Sequence, residues 1–259
     1  MKNAVRQFGL PGYELGDYMK ESIDFLRQHE PAEGYFVGFS GGKDSIVTLE
    51  LCRIAGVKCF PYYSCTRIDP PEMYKFIKAN YPEVQWLFPR ESFWKLIYKK
   101  SPPMRHMRWC CDKLKKEPSK HIPLSKRVMG IRAEESARRA SKPRIDKYNK
   151  KQYLVKPIFY WPEWAVWEFI EAYKLPYPSL YDEGLGRIGC VCCPFIFGVS
   201  ENARRRIALY QKKWPGIWRC FELAVRKWFD EKGGKTLRIG QVCKTSDEFW
   251  KRYLGGVLR

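Results

Sequence analysis

No apolar run in the 259-residue sequence approaches the roughly 20 residues needed to cross a bilayer, so no membrane span is expected. The first residues, Met1-Lys2-Asn3-Ala4-Val5-Arg6, lack the apolar stretch of a secretory leader, and a cytoplasmic location is the expectation. Acidic residues are scarce: 28 Asp and Glu face 48 Lys and Arg, a formal net charge of +20. Such an excess says nothing about fold but favours polyanionic partners. The basic residues cluster with Trp and Tyr, which points to nucleic acid rather than to a solubility charge spread over all faces. No internal repeat is visible, which argues against solenoids and propellers.

What is present suits a folded chain. With 45% hydrophobic and 16% aromatic residues, its length allows one large domain, or one domain and a small appendage. The most informative stretch is Phe39-Ser40-Gly41-Gly42-Lys43-Asp44-Ser45. An apolar run, Tyr35–Phe39, precedes it and reads as a buried strand. Ile46–Cys52 follows at helical spacing. Two glycines let the backbone turn sharply and approach a ligand. The helix N-terminus then offers unpaired N–H groups and partial positive charge to an anion. Ser40 and Ser45 add hydroxyls, Lys43 a point charge, and Asp44 a ligand for Mg²⁺. This is a phosphate cradle, although it matches neither the Walker pattern nor G-x-G-x-x-G.

A helix within residues 1–30 is predicted to lead into the first strand. Val57–Tyr63 is a second strand, so strand–helix–strand forms a parallel βαβ unit. Ligands in such sheets lie beyond the carboxyl ends of the strands, which places Cys65, Arg67 and Asp69 toward the cradle. Val84–Phe88 and Arg127–Ile131 are further strands. The second of these delivers Arg132, Glu134, Glu135 and Arg138 to the same end of the sheet. The Lys/Arg-rich 141–152 run is expected to be a mobile surface loop. Trp164–Ile170 is a helix. The chain is expected to divide into a core, 1–198, and a small helical, basic, aromatic region, 199–259.

Ten cysteines without a secretory leader do not suggest a disulfide framework. Cys110-Cys111 is followed, after 78 residues, by Cys190-Val191-Cys192-Cys193. Thiolates on two such loops can surround zinc or a [4Fe–4S] cluster, and ligand softness does not choose between them. Cys192 is a spare beside them. Cys52, Cys59 and Cys220 fall on apolar faces and are expected to pack in the core.

S-G-G-K-D-S closely resembles the loop of the N-type ATP pyrophosphatases (the PP-loop). The cysteine pattern resembles that of the phosphoadenylylsulfate/adenylylsulfate reductases, as do the flanks Cys110–Pro118 and Gly130–Ser136 and the run from Pro157 to Cys193. The resemblance covers about 30–195 and implies an adenine nucleotide α-hydrolase-like fold: α/β, doubly wound and mostly parallel, here with the C-terminal helical appendage. It also tips the metal toward a [4Fe–4S] cluster on Cys110, Cys111, Cys190 and Cys193, with zinc the lesser choice.

Two departures shape the expected function. The reductases end in an E-C-G-[IL]-H tail with a nucleophilic cysteine; here the last cysteine, Cys243, stands in Gly240–Ser246 without that tail. The reductases have also lost the intact loop, which this chain keeps. A lysine aimed at a β or γ phosphate is useful only where those phosphates exist. The expectation is therefore an adenylylating ATP pyrophosphatase that inserts sulfur into nucleic acid. DNA phosphorothioation, as in DndC- and SspD-like proteins, comes first and tRNA thiolation second, with a cysteine desulfurase or other sulfur donor as partner. Alternatives are a sulfonucleotide reductase and an ATP-sensing nucleic-acid-binding component. Expected roles are phosphate and Mg²⁺ binding by Ser40, Gly41, Gly42, Lys43, Asp44 and Ser45. Arg132 and Arg138 would neutralise phosphate oxygens, with Glu134 and Glu135 placing them or the metal, and Cys65 is a candidate sulfur carrier.

Overall fold

The computed structural model describes residues 12–235 and 237–257. In chain order the elements are α1 (Leu15–Gln28), β1 (Tyr35–Gly38), α2 (Lys43–Ala55), β2 (Cys59–Ser64), α3 (Pro71–Asn80), β3 (Gln85–Leu87) and α4 (Phe93–Lys100). Then come β4 (Lys126–Met129), α5 (Ala137–Ala140), β5 (Ile145–Lys147), β6 (Tyr153–Val155) and α6 (Glu163–Ala172). The chain closes with α7 (Glu201–Lys213), α8 (Pro215–Glu231), α9 (Leu237–Val242) and α10 (Ser246–Leu254). Packing divides it into two compact units. One holds the described parts of Met1–Tyr63, Glu72–Leu87 and His121–Ile188, the other those of Ser64–Pro71, Phe88–Lys120 and Gly189–Arg259.

The first unit is built on a six-stranded sheet of order β3-β2-β1-β4-β6-β5. β1 runs parallel to β2 and β4, and β4 parallel to β6. Tyr35, Phe36 and Val37 are all buried, as a central parallel strand covered on both faces requires. α2 starts after Gly42 and stops at Gly56, whose φ of +69° ends it in the left-handed conformation. Gly38 faces Met129 across β4, and a Cβ there would lie 2.3 Å from the Met129 sulfur. The order reverses at β1, which has β2 on one side and β4 on the other. The segments leaving β1 and β4 at their carboxyl ends therefore frame the crevice where doubly wound sheets bind ligands. The fold class expected from sequence is the one observed.

The basic 141–152 run is not the loop expected. It contains β5, antiparallel to β6 with Ile145 opposite Val155 and Lys147 opposite Tyr153. Arg144 is spent on neighbouring backbone and carboxylate groups, while Lys142, Lys147, Lys150 and Lys151 are exposed. Arg144 pairs with Glu21 and donates from Nε to the Lys156 carbonyl at 3.1 Å, while Lys156 Nζ donates to the Pro143 carbonyl at 2.7 Å. Saturating those acceptors along the edge lets a charged segment sit as a strand.

The second unit is helical. Phe93 of α4 lies 5.9 Å from Phe221 of α8, and Phe221 lies 5.5 Å from Trp250 of α10. Trp214, Trp218, Trp228 and Trp250 are all buried. The tail tryptophans are thus core residues and not a surface that interleaves with the basic side chains. The 199–259 stretch shares this core with α4, because the apolar side of α8 needs a partner and α4 supplies it. Cys52 is buried, but Cys220 is exposed, against the expectation that both pack inside.

Candidate functional site

In the first unit the turn after β1 is shaped by its small residues. Gly41 has φ +72°, a conformation in which any larger residue is strained, and a Cβ on it would lie 2.8 Å from Met73 Cε. Ser45 Oγ accepts the Ser40 N–H at 3.1 Å and donates to the Gly42 carbonyl at 2.8 Å, closing the turn on itself. Gly42 caps α2 without a side chain. The N–H of Lys43 donates instead to the Tyr181 hydroxyl at 3.0 Å. Burial pushes the Tyr181 pKa up to about 12, so the group is a neutral hydroxyl near neutral pH.

Lys43 is only 5% exposed. Its ammonium lies 3.2 Å from Glu163, 3.6 Å from Asp44 and 3.5 Å from the Gly186 carbonyl. The rings of Tyr181 and Trp167 flank it at 5.5 and 6.0 Å. Arg132, on the segment leaving β4, is 4% exposed. It reaches Asp44 at 2.6 Å and Glu134 at 2.5 Å, and Glu134 in turn accepts the Glu163 N–H at 2.8 Å. Lys43, Asp44, Arg132, Glu134 and Glu163 thus form a closed ring of charge-assisted contacts. Gly130 permits the close approach: a Cβ there would lie 2.5 Å from the Asp44 carbonyl oxygen. The structure therefore brings Ser40 through Ser45, Arg132 and Glu134 together. Both Asp44 carboxylate oxygens are engaged by cations, and Arg132 braces Asp44 rather than standing open. Glu135 accepts the Arg132 N–H at 3.1 Å, and Arg138 is exposed on α5.

In the second unit, Cys110 and Cys111 open a helical turn, Cys111–Lys116, of wide π geometry. Cys190 and Cys193 bracket a turn in which the Cys193 N–H donates to the Cys190 carbonyl at 3.2 Å. The two segments are clasped by arginines. The Arg105 guanidinium donates to the carbonyls of Pro194 and Phe195, each at 3.4 Å, and to that of Phe197. The Arg108 guanidinium stacks 4.7 Å from the Phe195 ring and donates to Cys111 Sγ at 3.4 Å. A hydrogen bond from Cys110, and then the Arg108 guanidinium and the Lys115 ammonium, hold the Cys111 thiol well below the usual range. Burial, and then Asp69, push Cys190 up to about 12, against the opposing pull of Lys115. Thr66 Oγ1 lies 3.8 Å from Cys190 Sγ. Cys192 is buried, and burial raises its thiol. Cys65 is 4% exposed.

Four soft thiols with Arg108 and Lys115 beside them suit an anionic thiolate set, which is what a cluster or zinc requires. Among the described residues, however, no group of three or more His, Cys, Asp or Glu side chains is arranged to hold a metal ion. The donor chemistry fits the group; the side-chain positions do not close around one.

The phosphoadenosine phosphosulfate reductase domain model matches residues 34–195. The chain belongs to that family. A Methanocaldococcus jannaschii protein, itself uncharacterized, is 32% identical over 222 residues, 79% of this chain and 46% of that one. An adenosine 5'-phosphosulfate reductase of Shouchella clausii is 26% identical over 202 residues, 71% of this chain and 82% of that one. The chain spans less than half the length of the archaeal relative and of a second one from the same organism. Phosphoadenylyl-sulfate reductase from Candida auris superposes with a TM-score of 0.50 at 19% identity, covering 71% of this chain and 97% of that one. That likeness shows the fold. No helix among the described residues is long and apolar enough to cross a membrane.

In this phosphoadenosine phosphosulfate reductase-domain protein the residues that sequence reading missed are Glu163, Trp167 and Tyr181. Each meets Lys43 across 120 or more positions, and no local pattern marks any of them. Only the resemblance of the Pro157–Cys193 run pointed to the stretch that carries them.

Proposed function

We propose that the chain binds ATP at the turn after β1, releases pyrophosphate and adenylylates a nucleic acid for sulfur insertion, with DNA phosphorothioation the leading case. The observation that carries this is Lys43: a buried ammonium at the N-terminus of α2, beside two small residues that leave the backbone open. In this reading an acceptor oxygen attacks the α phosphorus and pyrophosphate leaves. Sulfide delivered by a donor protein then attacks the adenylylated centre, and its bond to sulfur forms as AMP leaves. Ser40, Gly41, Gly42, Lys43 and Ser45 hold the phosphates. Asp44 would hold Mg²⁺, with Arg132 and Glu134 keeping the carboxylate in place. Cys110, Cys111, Cys190 and Cys193 would hold a [4Fe–4S] cluster, which when bound supplies a soft, redox-active centre for sulfur chemistry.

The test is pyrophosphate release from ATP by anaerobically purified protein, with and without DNA or tRNA. Stimulated release supports the reading, and the stimulating polymer names the acceptor. A sulfonucleotide reductase is the second reading, favoured by the names of the bacterial relatives. It needs an accessible nucleophile. Cys243, the thiol considered for that role, is 1% exposed, and burial raises its pKa. Sulfite formation from either sulfonucleotide without pyrophosphate release from ATP would establish that reading instead.

A further inference from the structure

Two cysteines of the first unit stand apart from the set proposed for a cluster. Cys52 lies in the last turn of α2 and Cys59 opens β2. The chain between them is a tight turn held at both ends. Gly56, at φ +69°, donates its N–H to the Arg53 carbonyl at 3.0 Å, and the Val57 N–H donates to the Cys52 carbonyl at 3.3 Å. The Lys58 N–H donates to Glu30 at 2.6 Å, and the Lys58 carbonyl accepts the Tyr35 N–H at 2.7 Å. The turn brings the two side chains together, and the Cys52 thiol donates a hydrogen bond to the Cys59 sulfur. Lys43 opens the same helix about 14 Å away, so the pair is no part of the phosphate cradle.

The two sulfurs are not equivalent. Cys52 is 0% exposed, whereas Cys59 is half-buried. The bond from Cys52 lowers the Cys59 thiol against the effect of burial, and Arg53 lowers it further against Glu30 and Glu83. The same bond, and then burial, raise Cys52. One sulfur is reachable and favours the thiolate; the other is a protonated thiol in contact with it. Packing as small hydrophobes does not require two cysteines to touch or to differ. A reachable thiolate beside a second cysteine is the arrangement in which a sulfenic acid condenses to a disulfide.

We infer that Cys59 and Cys52 form a peroxide-oxidised pair, with Cys59 the attacking and Cys52 the resolving thiol. The Cys59 thiolate attacks one oxygen of hydrogen peroxide, the O–O bond breaks, and Cys59 becomes a sulfenic acid. The departing hydroxide takes up the proton that the Cys59 thiol had lost. The Cys52 sulfur then attacks the Cys59 sulfur, the S–O bond breaks, and the Cys52 proton leaves with that oxygen as water. Two thiols are oxidised to one disulfide, and one peroxide is reduced to two waters. The new bond ties the end of α2 to β2 across a turn that the backbone already closes.

The experiment treats the reduced full chain with hydrogen peroxide, blocks remaining thiols with iodoacetamide and maps tryptic peptides without reduction. Cleavage after Lys43, Arg53, Lys58 and Arg67 puts Cys52 in peptide 44–53 and Cys59 in peptide 59–67, so the disulfide joins two peptides. Peptide 59–67 also carries Cys65, so the map is repeated on Cys59→Ser and on Cys65→Ser. The linked peptides should form in the unaltered chain and in Cys65→Ser, and be lost in Cys59→Ser. In Cys52→Ser, dimedone should trap a sulfenic acid on Cys59, and sooner than on Cys220, although Cys220 is the more exposed. The inference is overturned by an unaltered chain that forms no link, by a link that survives Cys59→Ser, or by Cys220 reacting first. A Cys59 sulfenic acid that persists in the unaltered chain overturns it as well, because Cys52 would then not resolve it.

Discussion

The hydroxyl of Tyr181 accepts the N–H of Lys43 at 3.0 Å, 138 positions away in the chain, and so takes the first free amide of α2. A phosphate oxygen entering the cradle would compete for that amide. Tyr181→Phe should therefore lower the KM for ATP, by up to about fivefold for one neutral hydrogen bond, while leaving kcat nearly unchanged. Steady-state pyrophosphate release at varied ATP measures both. A raised KM would mean that the hydroxyl serves the phosphate rather than standing in for it.

Lys43→Ala should cut pyrophosphate release by about 10²–10³-fold, the usual cost of removing one preorganised charge-stabilising donor. Lys43→Arg should not restore it, because a planar guanidinium does not fit the space between Glu163, Asp44 and two rings. Retained activity in the alanine variant would remove Lys43 from the reaction.

Arg132 is buried between Asp44 and Glu134. Arg132→Ala leaves Glu134 without its cation and Asp44 with Lys43 alone, and should destabilise the first unit by about 3 kcal/mol. Urea unfolding followed by tryptophan fluorescence reports it. A loss under about 1 kcal/mol would show that water replaces the guanidinium freely.

Cys193→Ser should lose iron after anaerobic reconstitution and keep its far-ultraviolet circular dichroism. Arg105→Ala should lower iron loading as well, although it supplies no ligand, because it releases the carbonyls that follow Cys193. Iron per chain and the visible absorption band are the readouts. Full loading of Arg105→Ala would show that the clasp does not position the thiols.

Much of this was written locally in the chain. Strand, glycine turn and helix around Gly41 and Gly42 follow from periodicity and from glycine chemistry, and the paired cysteines follow from spacing. What was not legible depends on distant contacts. Nothing near Glu163 or Tyr181 says that either reaches Lys43. The 141–152 run reads as a polar loop because its charges are visible and their carbonyl partners are not. Trp218 and Trp250 read as a surface feature because the basic residues beside them in sequence point the other way in space. Cys220 shows the converse: an apolar neighbourhood in sequence with an exposed side chain.

The Arg105 clasp also fixes an order of events. The loops bearing Cys110 and Cys193 are joined by hydrogen bonds between a side chain and backbone carbonyls, none of which involves a thiol. These contacts need no metal to form, unlike those of small zinc domains in which binding and folding are one transition. Under the proposed reading the folded chain would be loaded afterwards, and its activity would be set by the supply of iron and sulfide rather than by the rate at which it folds.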